Sequence, residues 1–301
     1  MRPFLKNKIL LFFFLLSGFI CYSQTEGQKK QLALYEDSLK NIQKEIFKAK
    51  NDGLKRFASQ QFGDIIERAL AVENSFDFPF DSLKEVARLI SPDKKFRIIN
   101  WNLPLDDGTH EYYGYIQAYN AKTKKYDVFK LIDRSADVRN PETYTSDHNK
   151  WYGMLYYKII LRKVNKKSVY TLLAWDGNDK TSNKKIIDVL SFNSNGVPQF
   201  GMDIFKIEKR SPKRMVFEFV KEASMSLKYD EKKNMITFDY LVPPDESLKG
   251  QFQFYGPDFS IDGLKFEKGF WVYVQDIDAR NDKNKKDDMY IDPKSDKVPG
   301  K

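Results

Sequence analysis

The 301 residues are 41% apolar and 15% aromatic, enough for one large β-rich domain with a helical appendage or for two domains. Charged residues make up 31% and mean hydropathy is -0.60, which describes a polar surface around a sizeable core. The net charge is +9, but the 51 Lys and Arg are interleaved with 42 acids and form no extended basic stripe. That arrangement argues against a nucleic-acid-binding surface.

The N-terminus reads as an export signal. Arg2, Lys6 and Lys8 precede an apolar run from Ile9 to Ile20, and Cys21-Tyr22-Ser23 comes next as a small-x-small cleavage pattern. The run is shorter than the ~20 residues that span a bilayer. A signal peptide is therefore expected over 1–23. The mature chain begins at Gln24, has no transmembrane span, and is periplasmic or associated with the outer membrane. Cys21 is the sole cysteine, and Ile20 stands where a lipoprotein would need a small residue, so lipidation is disfavoured. Cleavage after Ser23 leaves no thiol for disulfides, catalysis or a cysteine-based zinc site.

Apolar residues Leu32, Tyr35, Leu39, Ile42 and Ile46 recur at helical spacing and predict a helix from Gln28 to Ala49, stopped at Asn51-Asp52-Gly53. A second helix is predicted from about Leu54 to Val72, with an inner face of Leu54, Phe57, Phe62, Ile65, Ala69 and Leu70. Asp81 reads as the N-cap of a third, short helix holding Leu83, Val86 and Ile90, closed by Ser91-Pro92. Together these form a helical segment over 24–92 that packs on a β-domain. The narrow stripe on the first helix also suits a partner helix.

From Phe96 the period changes to that of strands. The predicted runs are Phe96–Asn102, Tyr112–Tyr119, Tyr126–Ile132, Trp151–Arg162, Ser168–Trp175, Ile186–Phe192, Arg214–Val220, Met225–Tyr229, Met235–Leu241, Gly250–Tyr255 and Gly269–Gln275. Short polar turns join several of them, and no helical crossover interrupts them, so the pairing is antiparallel. The expected fold is mainly β with N-terminal α-helices (α+β). Its body, over 93–275, is an antiparallel sheet, sandwich or open barrel of about ten strands centred on Trp151–Phe192. The tail from 276 to 301 holds seven acids and seven bases and reads as a polyampholyte without a core.

Two acidic loops, each coming after a tryptophan, are the candidate functional sites. Asp106 and Asp107 lie in one, beside His110; Asp176, Asn178 and Asp179 lie in the other. Such oxygens suit a hard cation, with calcium the candidate cofactor. They equally suit turns, and neither loop has the D-x-[DN]-x-[DN]-G spacing of a strong calcium motif. Tyr113 and Tyr115 share one strand face, and with Trp175 they form a candidate platform for a glycan or peptide. His110 and His148 are the histidines available for acid–base work, but no G-x-S-x-G elbow accompanies them.

The segments NWNLPLDDGTHEYYGYIQ, WYGMLYYKII, TLLAWDGND and YGPDFSIDG resemble an uncharacterised family of exported proteins of the Bacteroidota, to which no activity is attached. Many exported cargo proteins of that group end in a β-rich sorting domain. This chain ends in a charged tail instead, which points to the periplasm or outer membrane. The reading that results is a non-enzymatic interaction or structural module with an envelope protein as partner. A glycan- or peptide-binding module and a hydrolase using a carboxylate pair are the alternatives.

Overall fold

A computed structural model describes residues 25–207 and 210–277. The signal peptide expected over 1–23, and the expected tail beyond residue 277, lie outside the described residues. Helix α1 spans Glu26–Lys48 and α2 spans Asp52–Ala71. The Thr25 hydroxyl accepts from Gln28 N–H (3.2 Å) while the Gln28 side chain accepts from Thr25 N–H (2.9 Å), a reciprocal cap that starts α1. Asn51 starts α2 by accepting from Leu54 N–H at 3.0 Å.

The strands are β1 (Ala87–Ile90), β2 (Phe96–Pro104), β3 (His110–Asn120), β4 (Lys125–Ile132), β5 (Ser146–Asp147), β6 (Leu155–Val164), β7 (Lys167–Asp176) and β8 (Ser182–Phe192). They continue as β9 (Pro198–Phe200), β10 (Phe205–Lys206), β11 (Met215–Val220), β12 (Leu227–Asp230), β13 (Met235–Val242), β14 (Gly256–Glu267) and β15 (Phe270–Val274). They form three open sheets among the described residues, ordered β1-β2-β3-β4, β5-β9-β8-β7-β6 with β11 also on β8, and β10-β15-β14-β13-β12. Ladders are antiparallel except the two-residue β10–β15 pair.

The sheets stack, and each interlayer is filled by alternate side chains of the strands that bound it. The helical hairpin covers the first sheet, with Leu32, Leu39, Phe62, Ile66 and Leu70 against Ile99, Trp101 and Tyr115. The other face of that sheet presents Phe96, Ile98 and Ile116 to Tyr170, Leu172, Ala174 and Ile186 of the second sheet. The second sheet then turns Val169, Leu173, Ile187 and Val189 toward Ile236, Phe238, Leu264 and Trp271 of the third. Polar bonds cross the gaps: Asn100 Nδ2 donates to Met154 O (2.8 Å), and Trp271 Nε1 to Thr171 Oγ1 (2.8 Å).

Some expectations are corrected. No third helix forms over 81–92. Phe80 takes a left-handed φ of 54°, and successive tight turns carry the chain to β1, which pairs with β2 from Ala87↔Asn100 to Ile90↔Arg97. Asp81 pairs with Arg88 (3.3 Å), and the Ser82 N–H donates to Glu36 of α1 (2.7 Å). Tertiary pairing with β2 overrides the local helical spacing, and it moves the start of the β-body back from 93 to 87. Gly250–Tyr255 is a run of turns ending in a 3-10 segment, Phe252–Phe254, and not a strand. The strand count rises from about ten to fifteen among the described residues. The two-residue strands β5 and β10 and the three-residue β9 are too short to leave a pattern. The Gly, Pro, Asp and Ser of early β14 read locally as loop. Leu54 and Phe57, expected inside, are exposed.

Asp188 and Arg214 are both completely buried within the second layer. Arg214 Nε and an Nη donate to the two Asp188 oxygens at 3.1 and 3.2 Å, and the other Nη donates to Pro141 O and Tyr144 O. A buried pair of this kind is costly to leave half-made. Arg214→Leu is therefore expected to lower the unfolding free energy by about 3–5 kcal/mol. Arg214→Leu combined with Asp188→Leu recovers most of that loss. Denaturant melts of the three proteins check it; equal losses in the single and double variants would contradict it.

Candidate functional site

The rim of the first sheet meets the tip of the helical hairpin. There, Ile46 and Phe47 of α1, Phe62 of α2, and Val86, Trp101, Leu103 and Leu105 line a mostly apolar cleft of 230 Å³, with Gln43, Lys55, Glu85 and Asn102 as its polar groups. Its back wall is fixed. The Trp101 indole donates to Ser59 Oγ (2.9 Å), meets the edge of Phe62 (centroids 4.9 Å apart) and stacks on Tyr113 (5.6 Å).

Charged clips hold the mouth. Lys55 bonds Asp52 (3.0 Å) and Asp106 (2.5 Å), and Asp106 N–H returns to Asp52 at 3.0 Å. Hydrogen bonds to Asp106 and Asp52 raise the Lys55 pKa above its ordinary value. Arg56 bonds Glu111 at 2.7 Å, and the other Glu111 oxygen accepts from the Tyr113 hydroxyl at 2.8 Å.

Beyond the cleft the hairpin tip is apolar on its outside. Phe47 is 65% exposed, Leu54 52% and Phe57 61%. Leu54 and Phe57 are one turn apart on α2, so they share a face. Phe57 precedes Phe62 by five residues, which at 100° per residue sets it about 140° round the helix from the buried stripe. An apolar residue that far off the stripe was the available sign that α2 has two apolar faces. Trp101, placed at a strand end by the sequence, gave no sign of its role in the wall.

The two acidic loops come together. Gly108 backs onto the Lys180 side chain so closely that a Cβ there would overlap it, and Gly177 does the same against the His110 ring. His110 meets the Trp175 edge (5.3 Å) and accepts from Asn102 Nδ2 at 3.0 Å. Tyr112, buried beneath, donates to Asp176 Oδ1 (2.7 Å) and accepts from Gly177 N–H (2.8 Å), while Lys221 Nζ caps Gly177 O at 2.7 Å.

The acids expected to bind calcium are individually engaged. Asp106 is clipped to Lys55, and Asp107 holds the Thr109 N–H and hydroxyl. Asp176 holds Tyr112 and Asn178 N–H, and Asp179 accepts from Thr181 and Ser182. The Asn178 side chain spans Ser182 Oγ and Lys184 Nζ. Among the described residues no group of three or more His, Cys, Asp or Glu is placed to hold a metal ion.

The Tyr113–Tyr115 platform is corrected. α2 covers that face, Tyr115 is buried with its hydroxyl donating to Gly63 O (3.0 Å), and Tyr113 is half-buried against Trp101. Trp175 lies apart from both, half-buried beside His110.

No known protein family, curated protein or solved structure matches this chain.

Burial and, secondarily, the Lys221 ammonium hold the His110 pKa below its ordinary 6.5, with Asp176 pulling the other way. The folded protein therefore takes up this proton less readily than the unfolded chain. The neutral ring's contribution is complete above 6.5 and is lost as pH falls below 6.5 through the depressed value. His110→Gln is expected to flatten that part of the loss of melting temperature between about pH 7.5 and about pH 5. An unchanged slope in the variant, or a His110 NMR titration midpoint above 6.5, would contradict the assignment.

Proposed function

We propose that this chain is an exported, non-enzymatic interaction module of the cell envelope, docking an apolar segment of a partner protein at its hairpin tip. The observation that carries the reading is the exposure of Phe47, Leu54 and Phe57 beside a preformed apolar cleft. A pocket with apolar walls and few polar groups is the usual form of a recognition site, and large exposed apolar side chains clustered at one place mark a docking surface.

Lys55 and Arg56 are already paired with Asp52, Asp106 and Glu111. Lys44, Lys48 and Lys50 stand against Glu45 and the cleft's Glu85, so charge at the tip is mixed and the apolar surface carries the reading. The histidine-bearing loops support a non-enzymatic reading, since Tyr112, Asp176 and His110 are spent on fixing those loops against each other.

A photoreactive phenylalanine analogue at position 57 of the full-length protein, activated in intact envelopes, identifies the partner, which is then purified. Binding measured with both purified components is expected to weaken by about tenfold or more for Phe47→Ala or Phe57→Ala, the scale of an aromatic anchor. Both side chains are exposed, so melting temperature serves as the control for the fold. Cross-links to lipid alone, or an affinity unchanged by both substitutions, would remove the reading.

A further inference from the structure

The outermost sheet carries a feature that the interior of the molecule does not use. Along the β13–β14 ladder the register passes from Asp239↔Ile261 to Leu241↔Pro257, so three residues, Asp258, Phe259 and Ser260, oppose Tyr240 alone. This is an enlarged bulge, three residues against one, of the kind that re-aims a side chain. Phe259 sits at its tip with φ of 71° and 98% of its surface exposed. A bulky residue in the left-handed region is strained, and glycine would occupy the position without that strain. The Asp258 carboxylate fixes the tip by accepting from Ser260 N–H (3.0 Å) and Oγ (2.7 Å). Among the described residues the ring gains no packing, yet the backbone is bent to display it. Local strain that nothing inside the fold repays is characteristic of functional positions.

The surroundings define what it would meet. Tyr240 of β13, opposite the bulge, and Phe252 and Phe254 of the β13–β14 connection are also exposed. Between Asp239 and Ser260 the acids Asp239, Asp245, Glu246 and Asp258 stand against Lys249 as the one base, in a chain of net charge +9. Asp276 is brought alongside, its N–H bonded to Asp262 (3.1 Å) and Ile277 N–H to Ile261 O (2.7 Å). Serine hydroxyl bonds hold Asp245 and Asp258 below the ordinary carboxylate value, so both are ionised at neutral pH.

We propose that this acidic, aromatic bulge is a second docking surface, and that its occupant is a lysine- or arginine-bearing polypeptide segment. Ring faces attract ammonium and guanidinium groups, and the ionised carboxylates add charge pairing. The same acids repel an anionic membrane. The surface stands on its own observations and does not depend on the hairpin tip, which lies on the opposite outer layer.

The test uses the full mature chain and fluorescent poly-L-lysine, read by anisotropy at low and high salt, with melting temperature read in parallel. Phe259→Gly is expected to weaken binding by about tenfold, the scale of a lost aromatic anchor, and to raise the melting temperature by relieving the left-handed phenylalanine. Asp245→Asn with Asp258→Asn is expected to flatten the salt dependence. Three arms set the alternatives: poly-L-glutamate, phosphatidylglycerol vesicles and chito-oligosaccharides. The proposal is overturned if Phe259→Gly leaves poly-L-lysine binding unchanged, or if it abolishes binding in one of those arms instead. A lowered melting temperature would overturn the strain on which it rests. Sedimentation of the chain alone covers the last case: a dimer dispersed by Phe259→Gly would make a second copy the occupant and overturn the stated partner.

Discussion

The structure depends on strands β7 and β8 having no face in water. Tyr170, Leu172 and Ala174 point into one interlayer, and Val169, Thr171 and Leu173 into the other; Ile186 and Ile187 divide in the same way. A sheet buried on both faces has nowhere to put a polar side chain unless that side chain is paired. Each exception obeys this. Thr171 accepts from the Trp271 indole, and Asp188 receives the Arg214 guanidinium. Every outer layer is then placed relative to this middle one, the first sheet and hairpin on one side and the third sheet on the other.

That arrangement divides the labour of the molecule. The inner layers are buried and cross-bonded, which suits a scaffold. The outer layers keep large apolar side chains that the core does not absorb. Phe47, Leu54 and Phe57 lie on the helical side, and Phe259 with Tyr240, Phe252 and Phe254 on the sheet side. Charge is mixed at the first, whereas acids outnumber bases along the second. Two such surfaces on a rigid stack would let one chain hold two different partners at once, as the proposed interaction module requires.

Much of this was legible in the sequence because burial writes periodicity. The α1 stripe from Leu32 to Ile46 is a face that must be apolar, and the runs around Trp151–Phe192 are strands apolar on both faces. They fall near where the pattern puts them, although β6 begins at Leu155 and not at Trp151. Ile90 and Val86 misled because three- and four-residue spacing in a short stretch fits a helix as well as a turn leading to a strand, and only pairing with β2 decides between them. The sites were less legible. The acidic loops were found, since Asp, Asn and Gly mark turns, but whether their carboxylates face each other or their own backbones is a matter of three-dimensional approach. Tyr115 looked available because alternation tells which residues share a face, and not that α2 lies on it. Phe259 could not be singled out at all, because its φ and its place on a bulge come from the register of two strands.

If the middle sheet is the rigid unit and the outer layers are secondary to it, the difference is readable in local opening. Hydrogen–deuterium exchange of the free protein, resolved by peptide, reads it. Amides of β7 and β8 are expected to exchange only with global unfolding, together and last. Those of α1, α2 and the β13–β14 connection are expected to exchange earlier, by local opening. Exchange of β7 and β8 as fast as the hairpin tip would contradict the scaffold, and would mean that the layers are separate units held together weakly.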